Sequence, residues 1–203
     1  MSSEVVLIID DDSEVLQALA FLFSAAGFAV QIHDSAAAFL DRMGGDEAGC
    51  IVTDIRLPGM DGLELQRRLR AERNATPVVI MTGHADVALA VEAMKAGAID
   101  FIEKPFDNEV LIKAIRSALA RRRNDHEREQ RSTELRGRLE LLTERERQVL
   151  DGLVAGKSNK VIAHDLNLSI RTVEGYRANV MAKMQAHSLS ALIRMVLSEP
   201  TVL

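Results

Sequence analysis

Five side chains in the first half of the chain could do chemistry together: the carboxylates of Asp10, Asp11 and Asp54, the hydroxyl of Thr82 and the ammonium of Lys104. Each ends or closely follows a short apolar run: Val5 to Ile9, Cys50 to Thr53, Pro77 to Met81 and Ile99 to Ile102. Three carboxylates in one cleft repel one another unless a cation is present. Hard oxygen ligands suit Mg2+, which takes few protein carboxylates and keeps several waters. A carboxylate can attack phosphorus once cations neutralise the phosphoryl oxygens. Asp54 is the natural nucleophile, because a loop marked by Pro58, Gly59 and Gly62 follows it and can admit a donor. Lys104 would pair with a phosphoryl oxygen and the Thr82 hydroxyl would bond another. An aspartate after a strand also commonly caps a helix, which accounts well for Asp12 and poorly for the five together.

These residues can meet only if the apolar runs are strands of one sheet. Helical segments alternate with them. Asp12 or Ser13 caps the first, whose apolar positions Val15, Leu16, Leu19, Leu22 and Phe23 run to Gly27. A second strand is predicted over 28–32, a second helix over 35–43 before a break at Gly44-Gly45, and a third helix over 63–73. A fourth helix ends at Gly97 and a fifth begins at Asp107. Five βα units with short connections predict a doubly wound, five-stranded parallel sheet covered on both faces. Ligands of such a sheet bind outside the carboxyl ends of its strands, where these five residues fall.

The remainder reads as all-α. Residues 1–120 form the α/β domain, and 121–142 form a polar, largely helical linker that regains Leu135, Leu139 and Leu142 at helical spacing. Residues 143–203 form four helices. Thr143 and Glu146 make a capping box, Gly156 stops the first helix, and Ser158 caps a second bearing Val161, Ile162, Ala163 and Leu166. Ser169 caps a third with Val173, Tyr176, Val180 and Met184, and a fourth spans about 189–197. The second and third helices, joined by a tight turn, have the layout of a helix-turn-helix, whose later helix enters the major groove of DNA. Small four-helix units also bind proteins, and the polar face decides between the readings. Arg171, Thr172, Glu174, Arg177 and Asn179 project from the third helix, with Lys157, Asn159 and Lys160 near the start of the second. These are phosphate- and base-contacting types.

Composition bounds the rest. Apolar residues make up 47% and charged residues 27%, which fits folded domains rather than disorder. One cysteine, Cys50, excludes an internal disulfide and any cysteine-based zinc cluster. The net charge of -5 divides into -9 over 1–120 and +2 over each of 121–142 and 143–203. An acidic first domain could concentrate a cation and a mildly basic second part could approach a polyanion. No apolar run is long enough to span a bilayer, and the first residues lack a signal peptide's basic start and apolar core. A cytoplasmic location without a membrane partner is expected.

VVLIIDDD, VTDIRLPGMDG, VIMTGHAD and AGAIDFIEKPF resemble the four signature stretches of response-regulator receiver domains, whose fold is flavodoxin/CheY-like. The resemblance runs from about Glu4 to Ala120. It implies that Asp54 accepts a phosphoryl group from a sensor histidine kinase. Asp11, Asp54 and the Arg56 backbone carbonyl would bind magnesium, with Asp10 helping through water. The Lys104-Pro105 bond would be cis, and Thr82 and Phe101 would be the switch pair.

LTERERQVLDGLVAGKSNKVIAHDLNLSIRTVEGYRANVMAKM resembles the LuxR-type DNA-binding domain, and the two together are similar to the NarL/FixJ class of transcription regulators, within it to the FixJ type. By position, Glu174, Gly175 and Ala178 would face base edges, and Arg171, Thr172, Arg177 and Lys183 would hold phosphates. Regulators of the FixJ type usually carry a β-branched residue where Gly175 stands, so their operator sequence does not transfer.

The expectation is a phosphorylation-controlled regulator of promoter DNA, acting as an activator alongside RNA polymerase and turning over no external substrate. Unphosphorylated, its receiver would mask the DNA-binding domain or leave it monomeric. Phosphorylated, it would form a homodimer through the face made by helix four, strand five and helix five, where Val91, Lys95, Ile99 and Phe101 lie. Three rival readings stand beside it. A receiver responding to something other than phosphate would have no use for the complete aspartate-threonine-lysine set. An enzyme of the haloacid dehalogenase type wants a second aspartate two residues after the nucleophile, where Arg56 stands. An adaptor using the helical domain to bind protein would lose no promoter response when Arg171 and Arg177 are mutated.

Overall fold

The computed structural model describes residues 4–43, 49–83 and 87–198; the Gly44-Gly45 break and the His84 to Asp86 part of VIMTGHAD lie outside the described residues. The chain divides into two compact units, 1–125 and 126–203.

In the first unit, β1 (Val5–Ile9), β2 (Ala29–His33), β3 (Gly49–Asp54), β4 (Val78–Thr82) and β5 (Asp100–Glu103) alternate with α1 (Ser13–Ala25), α2 (Ala36–Arg42), α3 (Gly62–Ala71), α4 (Val87–Ala96) and the start of α5 (Asn108–Glu140). The sheet is wholly parallel, in the order β2-β1-β3-β4-β5. Alternate residues of its strands feed two cores. Val6, Ile8, Val52 and Met81 pack with Phe23 of α1 and Leu111 and Ile115 of α5. Leu7, Ile9, Ile51 and Ile80 pack with Phe39, Leu65, Leu69 and Ala93 of α2, α3 and α4. Burial on both faces is why β1, β3 and β4 are near-continuous apolar runs. Cys50 lies in β3 at zero exposure.

The register aligns the carboxyl ends. Ile9 pairs with Thr53, Asp54 with Met81 and Thr82 with Glu103. The residue after β1, the last residues of β3 and β4 and the residue after β5 therefore share one edge, and these are Asp10, Asp54, Thr82 and Lys104.

Several boundaries differ from the sequence reading by one or two residues, and those of β2 and α3 do so for local reasons. β2 starts at Ala29 because the Phe28 N–H turns back to the Phe23 carbonyl at 3.0 Å, closing α1 over Gly27 at φ +92°. α3 starts one residue early, with Asp61 Oδ1 accepting from the Glu64 N–H, and ends two early because Arg73 adopts φ +57°.

Helix α5 joins the fifth helix and the expected linker in one element. Residues 121–142 are not uniformly solvated. Arg122 Nη1 donates to the Gly49 carbonyl at 3.1 Å and to Thr76 Oγ1 at 3.2 Å, tying α5 into the first unit. Leu135, Leu139 and Leu142 are buried in the core of the second.

The second unit adds α6 (Glu144–Val154), α7 (Asn159–Leu166), α8 (Ile170–Lys183) and α9 (Leu189–Leu197). Thr143, Ser158, Ser169 and Ser188 cap them, Thr143 in a full capping box with Glu146. Val149, Leu153, Ile162, Val173, Val180, Leu192 and Val196 fill the core. A Cβ on Gly152 would stand 2.7 Å from Ile162 Cγ1, so glycine is what lets α6 approach α7.

α8 ends as α1 does, but with Gln185 in the left-handed position at φ +53°. The Gln185 and Ala186 N–H groups donate to the Ala182 and Met181 carbonyls. Gln185→Gly removes the Cβ penalty at that φ and is expected to stabilise the second unit by about 0.5 kcal/mol after the extra unfolded-chain entropy of glycine. The midpoint should rise by roughly 2–4 °C. Thermal melting followed at Tyr176 fluorescence reads this unit alone, since the chain has one tyrosine and no tryptophan and Tyr176 packs on that core. A fall in midpoint would refute strain at Gln185. Among the described residues, no helix is long and apolar enough to cross a membrane.

Candidate functional site

The carboxyl edge of the sheet holds a bonded triad. Asp10 and Asp54 are buried, at 2% and 9% exposure. Lys104 Nζ lies 3.0 Å from Asp10 Oδ2 and 2.9 Å from Asp54 Oδ1. Each carboxylate has its other oxygen held by a backbone N–H two residues on: Asp12 to Asp10 Oδ1 at 3.0 Å, Arg56 to Asp54 Oδ2 at 2.8 Å. The Lys104 N–H donates to the Thr82 carbonyl at 2.7 Å, and the Lys104-Pro105 bond is cis. Burial alone would lower the Lys104 pKa, but hydrogen bonds to Asp54 and then Asp10 outweigh it and raise the pKa above the ordinary lysine value. The ammonium is therefore a fixed charge.

The remaining members stand around this triad. Thr82 is fully buried at the end of β4, and Phe101 on β5 is partly buried, with Leu89, against the second core. Asp11 and Arg56 are exposed and line one open cavity with Ile55, Leu57, Pro58 and Asp61. Among the described residues no three metal-binding side chains stand ready-grouped; the Lys104 ammonium bridges Asp10 and Asp54, and Asp11 is exposed. The donor set still fits magnesium. Three carboxylates against one ammonium leave a formal excess of two negative charges, all on hard oxygens, beside an open cavity.

One positioning residue escaped the sequence reading, which took Gly62 only as a turn marker. A Cβ there would sit 2.4 Å from the Asp54 carbonyl oxygen, so only glycine lets α3 start against the end of β3. The signal available was a glycine directly after the Asp61 cap.

In the second unit, α8 presents an exposed face. Arg171, Thr172, Glu174, Gly175, Ala178 and Asn179 are exposed, and Tyr176 and Arg177 partly so. Ser169 Oγ accepts from the Thr172 N–H at 3.0 Å, which orders the first turn. Lys160 is exposed on α7. Arg177 reaches Asn159 Oδ1 at 3.4 Å, and Lys157 pairs with Asp165 at 2.8 Å.

Lys183, expected among the residues that hold phosphates, is bonded within the second unit. Its Nζ is committed inward, 2.7 Å from Glu146 Oε2 and 3.0 Å from the Leu141 carbonyl. Glu146 is 3% exposed, and bonds from Lys183 and the Thr143 backbone hold its pKa down at about 2. The Glu146 signal in sequence was its place in the capping box, and nothing there pointed to a lysine 37 residues away.

Comparison with known proteins agrees with both halves. The response regulator receiver domain matches residues 6–116, and the luxR family of bacterial regulatory proteins matches 140–196. The transcriptional regulatory protein FixJ of Azorhizobium caulinodans is 54% identical over 190 residues, covering 94% of this chain and 90% of that one. FixJ of Bradyrhizobium diazoefficiens is 49% identical over 192 residues, covering 95% and 94%. Among solved structures, the response regulator StyR superposes with a TM-score of 0.86 at 38% identity, covering 97% of this chain and 100% of its own. Full-length FixJ from B. japonicum gives 0.63 at 48%, covering 97% of each.

Proposed function

Since the chain belongs to the NarL/FixJ class of response regulators, transcriptional regulators with a receiver and a LuxR-type DNA-binding domain, we propose that Asp54 is its phosphoryl acceptor and that acylphosphate formation drives receiver pairing and promoter binding. The observation that carries this is the placement of the Asp54 carboxylate 2.9 Å from the Lys104 ammonium at the carboxyl edge of the sheet. An Asp54 oxygen forms the bond to phosphorus as the bond to the kinase's histidine nitrogen breaks, and the imidazole leaves. Lys104 holds a transferred oxygen, and the Thr82 hydroxyl turns toward another, opening space for the Phe101 ring. Asp10, Asp11, Asp54 and the Arg56 carbonyl would hold magnesium, which supplies charge neutralisation at the phosphoryl oxygens. The protein turns over no external substrate.

The receiver occupies 1–120, the linker 121–142 and the DNA-binding domain 143–203. Pairing uses α4, β5 and α5, where Val91 and Met94 are 46% and 49% exposed beside Lys95, Ile99 and Phe101. Two DNA-binding domains then reach half-sites about 10 bp apart or a multiple of that. Lys160, Arg171, Thr172 and Arg177 hold phosphates, with Lys157 and Asn159 beside them, while Glu174, Gly175 and Ala178 meet base edges. The regulator works in the cytoplasm as an activator with RNA polymerase.

Incubation with magnesium and acetyl phosphate tests the reading. Intact-mass spectrometry should record one added phosphoryl group on the wild type and none on Asp54→Asn, with a monomer-to-dimer shift on gel filtration only for the former. Equal labelling of both proteins would move the acceptor elsewhere.

A further inference from the structure

The charges of α7, α8 and the turn before α7 divide into committed and uncommitted groups. Lys157 is paired with Asp165, Arg177 with Asn159 and Lys183 with Glu146. The Lys160, Arg171 and Glu174 side chains make no bond to another described residue. Arg171 and Glu174 stand one helical turn apart without pairing. Around Glu174 the face is bare: Gly175 has no atom within 4 Å of where its Cβ would be, and Ala178 and Ala182 are exposed. In a groove this helix can come close, and the longest reach on that stripe besides Arg171 is an unpaired carboxylate.

A carboxylate carried into a polyanion costs free energy unless it meets a donor there. The floor of the major groove offers only two kinds, the exocyclic amines of cytosine and adenine. Guanine presents two acceptors and thymine one, and both repel it. Adenine sets its N7 acceptor beside its amine, against the second carboxylate oxygen, whereas cytosine shows the amine alone on its own edge.

We infer that Glu174 is a specificity-determining residue that demands a cytosine at one position of each half-site, rejecting guanine and thymine by repulsion. This rests on the assignment of α8 as the DNA-entering helix and adds to it the identity of a base. The charge is the filter, so an amide at the same place should read differently. Glutamine bonds adenine through N6 and N7 together.

Site selection from random duplex DNA by the full chain, in magnesium and acetyl phosphate, tests this for the wild type and Glu174→Gln. The wild type should enrich a motif with cytosine at one position per half-site, and the variant should replace that cytosine with adenine while keeping the other positions. Changing the cytosine to thymine should weaken wild-type binding about 10- to 100-fold and the variant far less. The same base at every position for both proteins, or guanine or thymine at the wild-type position that alone changes, overturns the role of Glu174. No enrichment by either protein, with Tyr176 melting intact, overturns the DNA-binding assignment beneath it.

Discussion

Lys183→Met is expected to destabilise the second unit by about 3 kcal/mol, since removing one partner strands a buried charge. The Glu146 carboxylate would keep only the Thr143 N–H and hydroxyl, at 2.8 and 3.0 Å. Adding Glu146→Gln should recover part of the loss, because the stranded charge goes with it. The pair also sets an acid limit. Glu146 titrates at about 2 in the folded unit against an ordinary 4.5, a depressed pKa. Its contribution is complete above about pH 4.5 and disappears as pH falls toward 2. Tyr176 melting across that window should fall steeply with acid in the wild type and much less in Lys183→Met. Parallel curves for the two proteins would show that the pair does not stabilise the fold.

Gly62→Ala should slow phosphoryl uptake by Asp54 about 10- to 100-fold, the cost of misplacing a reacting group by around an ångström. It should also destabilise the first unit by about 1–3 kcal/mol. The added methyl meets a backbone oxygen at 2.4 Å, not a flexible side chain. β3 cannot yield easily, being flanked by β1 and β4. Either α3 lifts off with its Asp61 cap, or Asp54 turns and loosens its contacts with Lys104 and the Arg56 N–H. Initial rates of labelling with acetyl phosphate under magnesium decide it; unchanged rates would mean that the loop absorbs the methyl without moving Asp54.

The α/β frame was legible because β1, β3 and β4 are buried on both faces and so read as unbroken apolar runs, each with its polar residue at the end. Asp10 and Asp54 could be set on one edge from that, and Lys104 joined them as the residue after the shorter fifth run. What escaped were features without a local marker. Arg73 and Gln185 end helices in a conformation that usually announces itself with glycine, and neither is one. Lys183 looked like its exposed neighbours on α8, since its partner lies on α6 and its commitment is a tertiary fact. Gly62 carried a turn signal, but its purpose depends on how near α3 comes to β3, a distance that no spacing encodes. Arg122 sat in the run predicted as a polar linker, with nothing to mark it as the residue that bonds Gly49 and Thr76.

Cys50 makes the sheet its own clock. The thiol is fully buried at the start of β3, and burial pushes its pKa up to about 12 against a weaker downward pull from Arg122. Only thiolate reacts with alkylating reagents at useful speed, so the native protein is chemically silent. Modification of this single thiol becomes a stopwatch for the opening of the first unit, independent of the tyrosine that reports the second. Phosphorylation, magnesium and Gly62→Ala can then each be ranked by how often they let the centre of the sheet breathe.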